Sequence, residues 1–168
     1  MTNSLKKLIL FLTFLHFIHA SSAGAHELPQ NLQAALLSKL AHHELNLASK
    51  KNWRIAIVGE PKIYQSLNLM IARKRLENVG KLEYFEQLPE QGFDLVYINN
   101  IETAEKLTQY ALTHAAIVVS GRYHNVEQGV VVAMSVESGK PKLHLNKALS
   151  DKIGLVWDEQ LLRFAKLY

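Results

Sequence analysis

Blocks of apolar and polar positions alternate along the chain and predict strands and helices in turn. Continuous apolar runs bounded by turn residues predict strands at Trp53 to Gly59, Phe93 to Ile98 and Ala116 to Val119, with a shorter strand of edge type at Leu82 to Phe85. Between them, apolar residues recur every three or four positions, as on one face of a helix. These stripes are Leu32, Leu36, Leu40, His43 and Leu47; Ile63, Leu67, Met70 and Ile71; and Ile101, Ala104, Leu107, Thr108 and Ala111.

The C-terminal third adds a hairpin whose register can be predicted from its turn. With Ser138 and Gly139 as a two-residue turn, the predicted pairs are Glu137 with Lys140, Val136 with Pro141, Met134 with Leu143, and Val132 with Leu145. The large apolar residues then share one face, and Ser135, Lys142 and His144 share the other. Because Pro141 cannot donate to a ladder, the second strand is expected at or near a sheet edge.

Two further helices are predicted after the hairpin. The first runs from the capping residue Asn146 to Gly154, and the second begins at about Asp158 and continues to the end of the chain. In this last helix the expected buried stripe is Trp157, Leu161, Phe164 or Ala165, and Tyr168.

This order of elements predicts the fold class. Alternating strands and helices favour parallel central strands with right-handed crossovers, and no repeat or linker indicates a second domain. We therefore expect one Rossmann-like, three-layer α/β domain. Its mixed sheet has a parallel core and an antiparallel C-terminal hairpin, with helices at both ends of the chain.

The first 25 residues have the pattern of a secretory signal peptide. Two lysines precede an apolar run from Leu8 to Ile18, and small residues follow at Ala23 to Ala25. We expect cleavage between Ala25 and His26, which leaves residues 26–168 as the α/β domain. The apolar run is shorter than the roughly 20 residues that a membrane span needs, although an uncleaved N-terminal anchor stays open as the alternative.

Composition narrows the possible partners. The chain has 19 basic and 15 acidic residues, and two of the basic residues lie in the predicted signal peptide, so the exported part is only weakly basic. Such a balance is poor evidence for nucleic-acid binding, and export disfavours that partner further. The absence of cysteine excludes disulfides and thiolate metal sites.

No catalytic or metal-binding pattern emerges from the sequence. The turn at Gly59 lacks both glycine-rich phosphate-binding motifs, and no two histidines have the i, i+4 spacing of a helical metal site. Ser120 follows a buried strand but lacks the G-x-S-x-G context of a nucleophile, so a structural serine is the better interpretation. We therefore expect no enzyme activity, no catalytic residues, no metal and no cofactor.

One loop stands out as a candidate recognition surface. Residues 121–129 follow the buried run at Ala116 to Val119, and open α/β sheets bind ligands and partners at the carboxyl ends of their strands. The loop carries residue types suited to recognition, with a solvated connection as the plain alternative. The candidate partner-binding residues are Arg122, Tyr123, His124, Asn125 and Gln128.

The C-terminal third also resembles a known family. The features that carry the likeness are Val119-Ser120, Gln128-Gly129, Glu137-Ser138-Gly139-Lys140, Leu143-His144-Leu145-Asn146 and the segment 161–167. Their order and spacing are similar to those of the YfiR-like (DUF4154, HmsC-like) family of periplasmic proteins.

The resemblance implies a function that the residues alone do not show. It implies a periplasmic, non-enzymatic regulator that binds the periplasmic sensor part of an inner-membrane diguanylate cyclase and represses it, lowering cyclic-di-GMP signalling and biofilm formation. It also implies a homodimer. The alternative belongs to a different functional class: a periplasmic module that binds a small ligand or a metal through the loop at residues 121–129.

Overall fold

The computed structural model describes residues 26–168, so the predicted signal peptide lies outside the described residues. The strands are β1 Trp53–Val58, β2 Val79–Phe85, β3 Leu95–Ile98, β4 Ile117–Ser120, β5 Val132–Glu137, β6 Lys140–Leu145 and β7 Ala165–Leu167. The helices are α1 Gln30–His43, α2 Leu45–Ala48, α3 Pro61–Ala72, α4 Ala104–His114, α5 Lys147–Ile153 and α6 Glu159–Phe164, with a 3-10 helix at Tyr123–Gln128.

The strands form one mixed sheet in the order β2-β1-β3-β4-β5-β6-β7. The pairs from β2 through β1, β3 and β4 to β5 are all parallel, and β5 and β6 form an antiparallel hairpin. The chain moves from β1 to β2 on one side and then returns to β3 on the other, which is the order of a doubly wound α/β sheet. The predicted α/β class and mixed sheet are confirmed.

The core is built on the central strands. All four residues of β3 and of β4 are buried, so no face of these strands is exposed to water. Helix α1 packs against α3, and α4 packs against α5, which accounts for the helical layers on the sheet. Among the helices within residues 26–168, none combines the length and the apolar composition that a membrane crossing requires.

The hairpin has the register that its turn predicts. Glu137 pairs with Lys140 and Met134 pairs with Leu143, and the pairs between and beyond them follow in step. Both turn residues adopt positive φ, 50° at Ser138 and 75° at Gly139, as a tight hairpin turn of this length requires. On the face opposite the large apolar residues, Ser135 and His144 are fully buried.

The C-terminal helix is shorter than predicted. Helix α6 ends at Phe164, and residues 165–167 form β7, which pairs in parallel with β6. The backbone of residues 165–167 forms hydrogen bonds with the free edge of β6, and these bonds replace those of the predicted last helical turn. The predicted buried stripe is correspondingly incomplete, because Trp157 and Leu161 are buried while Phe164 is 66% exposed.

Helix α1 buries a face that overlaps the predicted one only in part, since Leu40 is buried as expected. Leu32 is 43% exposed and Leu36 is only partly buried, whereas Leu37, Ala41 and the polar Gln33 are buried. The buried face is therefore rotated by about one residue, or roughly 100° around the helix axis. Sequence periodicity misled here because Gln33 is a core residue with hydrogen-bond partners inside the fold.

Candidate functional site

The carboxyl ends of β1 and β3 flank the point at which the strand order reverses, where doubly wound sheets usually bind ligands. In this protein the position is occupied by the chain's own polar side chains. Glu60 Oε1 accepts a hydrogen bond from Asn99 Nδ2 at 2.9 Å, and Glu60 Oε2 accepts one from Gln30 Nε2 at 3.4 Å. These contacts fill part of the crevice, and a small cavity of about 50 Å³ remains at the same strand ends, with Val58, Ile98 and Asn100 among its lining residues. The turn at Gly59 is not a glycine-rich phosphate cradle.

Asn99 connects this crevice to the predicted recognition loop. Its Oδ1 accepts hydrogen bonds from Ser120 Oγ at 3.0 Å and from the backbone N–H of Gly121 at 2.8 Å. Asn125 Nδ2 in turn donates to the Asn99 carbonyl at 3.0 Å and to Ser120 Oγ at 2.8 Å. Asn99, Ser120 and Asn125 are all buried, so the network is isolated from water and its partners are all needed.

A second buried pair lies directly beneath Gly121. Tyr97 Oη donates to Gln33 Oε1, and Gln33 Nε2 donates to the Leu28 carbonyl at 2.5 Å. Burial raises the pKa of Tyr97 far above its ordinary value, so the phenol stays protonated and acts as a donor. A Cβ at position 121 would lie 2.5 Å from Tyr97 Oη, which explains why glycine occupies this position.

The loop itself is a 3-10 helix on this polar network. Tyr123, His124 and Gln128 are exposed and Arg122 is partly exposed, whereas Asn125 is only 2% exposed. Of the five candidate partner-binding residues, four therefore face solvent, and Asn125 holds the loop from inside. The exposed side chains of this 3-10 helix are compatible with a recognition surface and equally with a solvated connection.

Sequence analysis did not identify a buried histidine beside the loop. His144 on β6 lies 2.7 Å from Ser135 Oγ through Nε2 and 3.1 Å from Tyr168 Oη through Nδ1. The ring of Tyr123 lies 5.6 Å away between centroids. The predicted register of the hairpin places Ser135 of β5 and His144 of β6 on one face, but only the unpredicted strand β7 brings Tyr168 over them.

This serine and histidine do not form a catalytic site. Both side chains are fully buried, so no substrate reaches the hydroxyl. The carboxylate of Glu137 lies 3.7 Å from Nε2, the same nitrogen that contacts the serine, whereas a catalytic carboxylate would orient the ring from Nδ1. Burial lowers the pKa of His144, against an opposing effect of Glu137, so the ring is held neutral.

Metal ligands are also dispersed. Within residues 26–168, no group of three or more histidine or carboxylate side chains lies close enough together to hold a metal ion. Ser120 is fully buried and its hydroxyl is bonded to Asn99, Asn125 and the N–H of Arg122, which fits its structural interpretation. The molecule is thus a single doubly wound α/β domain whose polar strand ends are used for internal support.

Comparison with known proteins assigns this domain to a family. A family model described as YfiR/HmsC-like (DUF4154) matches residues 30–166. The match covers most of the chain, and the protein belongs to this family. No curated protein matches the sequence.

Solved structures add little to this assignment. Ten chains match, among them the dehydrogenase part of multifunctional enzyme 1 from C. elegans. That chain is 13% identical, with a TM-score of 0.30, and the match covers 85% of this protein and 51% of the other. The protein thus spans about half of the dehydrogenase chain, and at this TM-score the likeness supports no functional conclusion.

Proposed function

We propose that the protein is an exported, non-enzymatic regulator that binds the periplasmic part of an inner-membrane diguanylate cyclase and holds it inactive. The observation that carries this proposal is membership of the YfiR/HmsC-like family over residues 30–166. Signal-peptide cleavage between Ala25 and His26 would place residues 26–168 in the periplasm. The regulator would thereby lower cyclic-di-GMP and biofilm formation.

The strand-end surface suits a binding role. Arg122, Tyr123, His124 and Gln128 project from a short helix that is anchored through Asn125 to the core. A preorganised surface loses little conformational entropy on binding, and arginine and tyrosine are common anchors at protein interfaces. We assign the partner contact to these four side chains, with Asn125 as the residue that positions them.

The mechanism follows from two-state coupling. A regulator represses an enzyme in another compartment when it binds the inactive conformation of the partner more tightly than the active one. No chemical step is needed on this chain. A release signal would act by weakening the contact or by stabilising the active partner.

The second candidate is a periplasmic small-ligand module. A cavity of about 150 Å³ lies at the same surface and is lined by Glu27, Gly121, Arg122, Tyr123 and His124. Small-molecule pockets are typically about 300–1,000 Å³, so this cavity fits a partner side chain better than a complete ligand. Thermal stabilisation of the isolated protein by a small molecule, together with no membrane partner, would favour this second function.

The main test combines genetics with surface variants. Deletion of the gene is expected to raise cyclic-di-GMP, and the wild-type gene should restore it. The double variant Arg122→Ala/Tyr123→Ser should fold normally, fail to retain the cyclase from solubilised membranes and fail to complement. Arg163→Ala is the matched control, because this arginine is exposed on α6 outside the proposed contact.

Two results would contradict the proposal. One is unchanged cyclic-di-GMP in the deletion strain, together with no association between the purified proteins. The other concerns export: N-terminal sequencing of the periplasmic protein is expected to begin at His26, and recovery of the protein only from the cytoplasm would exclude this function.

A further inference from the structure

A basic surface lies at the end of the sheet opposite the 3-10 helix. Helix α3 starts after the carboxyl end of β1 and runs back, so that it ends beside the amino ends of β1 and β2. The backbone N–H of Trp53 donates to the Asn78 carbonyl at 2.7 Å, which joins the starts of these two strands. Arg73, Lys74 and Arg75 follow α3 at this end, and all three are exposed. The end of α3 thus presents three adjacent cations to solvent.

Acidic neighbours do not neutralise these three side chains. Among residues 26–168, no ion pair involves Arg73, Lys74 or Arg75. In the sequence from 61 to 82, Glu77 is the only acidic residue. A cluster of charges of one sign creates a local field that attracts a surface of the opposite sign. The cluster is therefore suited to an anionic partner.

An exposed leucine lies beside the cluster. Leu69 is 55% exposed and precedes Arg73 by one helical turn, so both side chains lie on the outward face of α3. Leu67 occupies the opposite face and is fully buried. Helix α3 contains no acidic residue. An apolar side chain among cations is typical of helices that bind the surface of a membrane.

The backbone at the end of α3 has a lysine where glycine is usual. Lys74 has a φ of 54°, in the left-handed region, and its N–H donates to the Ile71 carbonyl at 2.9 Å. The N–H of Arg75 donates to the Met70 carbonyl at 2.8 Å, which completes a Schellman motif. Glycine normally takes the left-handed position because a side chain is strained there. A cation thus occupies a position where helix termination alone favours glycine.

We propose that Leu69, Arg73, Lys74 and Arg75, here called the basic end, bind reversibly to the surface of a phospholipid bilayer that carries anionic headgroups. The three cations complement the lipid phosphates. Leu69 suits the apolar layer beneath the headgroups, and a soluble anion offers no such layer. The inference rests on the proposed export, because the compartment determines which membrane surface the protein meets.

This contact would leave the 3-10 helix free for a protein partner. The basic end lies at the amino ends of parallel strands, whereas residues 121–129 follow the carboxyl end of β4. The two surfaces are separated by about the length of β1, which has six residues and so spans roughly 20 Å. A regulator held on the bilayer meets a membrane partner at a raised effective concentration while it still presents its strand-end side chains.

The plain alternative is that the cations only stabilise the end of α3. Positive charge near a helix C-terminus interacts favourably with the helix dipole. This interpretation predicts that neutralising the cations changes folding stability, and it predicts no affinity for lipid. It also gives no role to the exposed Leu69. The two interpretations therefore differ in vesicle binding.

Cosedimentation of the purified exported protein with vesicles tests the charge requirement. The protein should bind phosphatidylcholine vesicles that contain phosphatidylglycerol, should not bind phosphatidylcholine alone, and should be released as salt is raised. Arg73→Gln/Arg75→Gln should bind about 25-fold more weakly, since each basic residue near an anionic surface contributes roughly fivefold. Lys62→Gln/Lys140→Gln is the matched control and should bind like the wild type, because both lysines are exposed near the carboxyl ends of β1 and β5.

Leu69 distinguishes a bilayer from a soluble anion. Leu69→Ser should bind the anionic vesicles at least about fivefold more weakly, because its apolar contact is lost. Leu32→Ser changes a leucine of similar exposure on α1 and should bind like the wild type. Inorganic phosphate should displace no more protein from the vesicles than sodium chloride of equal ionic strength. Circular dichroism should show that every variant is folded.

Four results would each overturn the proposal. They are equal binding to both kinds of vesicle, no binding to either, the same loss of binding in a control as in its matched variant, and specific displacement by phosphate. None of these measurements includes the cyclase. A failure of membrane binding is therefore distinguished from a failure of the proposed regulatory function.

Discussion

The side-chain oxygen of Asn99 accepts the backbone N–H of Gly121 at 2.8 Å, which ties the loop after β4 to the end of β3. The same amide donates to Glu60 after β1, so three strand ends share one polar network. Doubly wound sheets that bind nucleotides keep the corresponding edge open for phosphate groups. Here its polar groups satisfy each other, and the exposed side chains of the 3-10 helix become the available surface.

Replacement of Asn99 should therefore loosen the loop as well as destabilise the fold. Asn99→Ala leaves the N–H of Gly121 and the hydroxyl of Ser120 without this partner in a buried site, and we expect a loss of about 2–3 kcal/mol in unfolding free energy. Denaturant unfolding measures the loss, and hydrogen exchange should show faster exchange in residues 121–128. Asn100→Ala is the control. It removes only an exposed contact with Arg122 and should cost under about 0.5 kcal/mol.

A side chain at position 121 should destabilise the fold as long as Gln33 and Tyr97 occupy the space beneath it. In Gly121→Ala the new Cβ would lie 2.5 Å from Tyr97 Oη and 2.6 Å from Gln33 Cδ, which forces the pair to shift. We expect a loss of about 1–3 kcal/mol in unfolding free energy. Shortening Gln33 to alanine relieves part of this contact, so the double variant should lose less than the sum of the two singles. Strict additivity would show that the contact does not limit position 121.

The hairpin shows how far sequence patterns reach in this fold. Its register was predictable because the Ser138-Gly139 turn, the Glu137 and Lys140 charge pair and the apolar alternation all select the same pairing. These signals are local, acting between residues close in sequence. The polar network was not predictable in the same way, because Asn99 and Gly121 are 22 residues apart and nothing local marks either residue as buried.

The two structural errors have related causes. The segment 161–167 has good helical spacing, yet its last part becomes β7 because β6 offers it a ladder of hydrogen bonds. Helix α1 has a plausible leucine stripe, yet it buries Gln33 because Tyr97 offers a partner. In both cases a tertiary hydrogen bond outweighs local apolar periodicity. A hydrogen bond of this kind cannot be predicted from one segment alone, because its partner lies elsewhere in the chain.

The buried His144 should make stability depend on pH. Burial holds its pKa below the ordinary value, with Glu137 opposing and Lys166 and Lys142 adding to the effect. The unfolded chain then binds a proton that the folded chain does not, once the pH falls below about 6.5. Unfolding free energy should fall as the pH drops from about 6.5 toward the folded pKa, with a slope of at most about 1.4 kcal/mol per pH unit from this group.

The measurement is urea unfolding at a series of pH values. His144→Gln should flatten the slope below about pH 6.5, since the titrating ring is gone. His124→Gln is the matched control, because it makes the same substitution on the exposed surface of the 3-10 helix. An identical slope in all three proteins would assign the acid sensitivity to other groups.

Asp158 should matter more than His43, although the two side chains contact each other at 2.8 Å. Asp158 also caps α6 by accepting the N–H of Leu161 at 2.8 Å, and this bond is the main reason that its pKa lies below the ordinary value. Asp158→Ala should cost about 1–2 kcal/mol in unfolding free energy, as for other helix caps, whereas His43→Ala removes only a partly exposed side-chain contact and should cost under about 1 kcal/mol. Because the pKa of Asp158 is lower in the folded than in the unfolded protein, its ionised carboxylate stabilises the fold above about pH 4. This contribution to the unfolding free energy is lost as the pH falls further. Chemical denaturation of both variants tests this order, and an equal loss in the two would mean that the contact between His43 and Asp158, rather than the helix cap, fixes the C-terminal helix against α1.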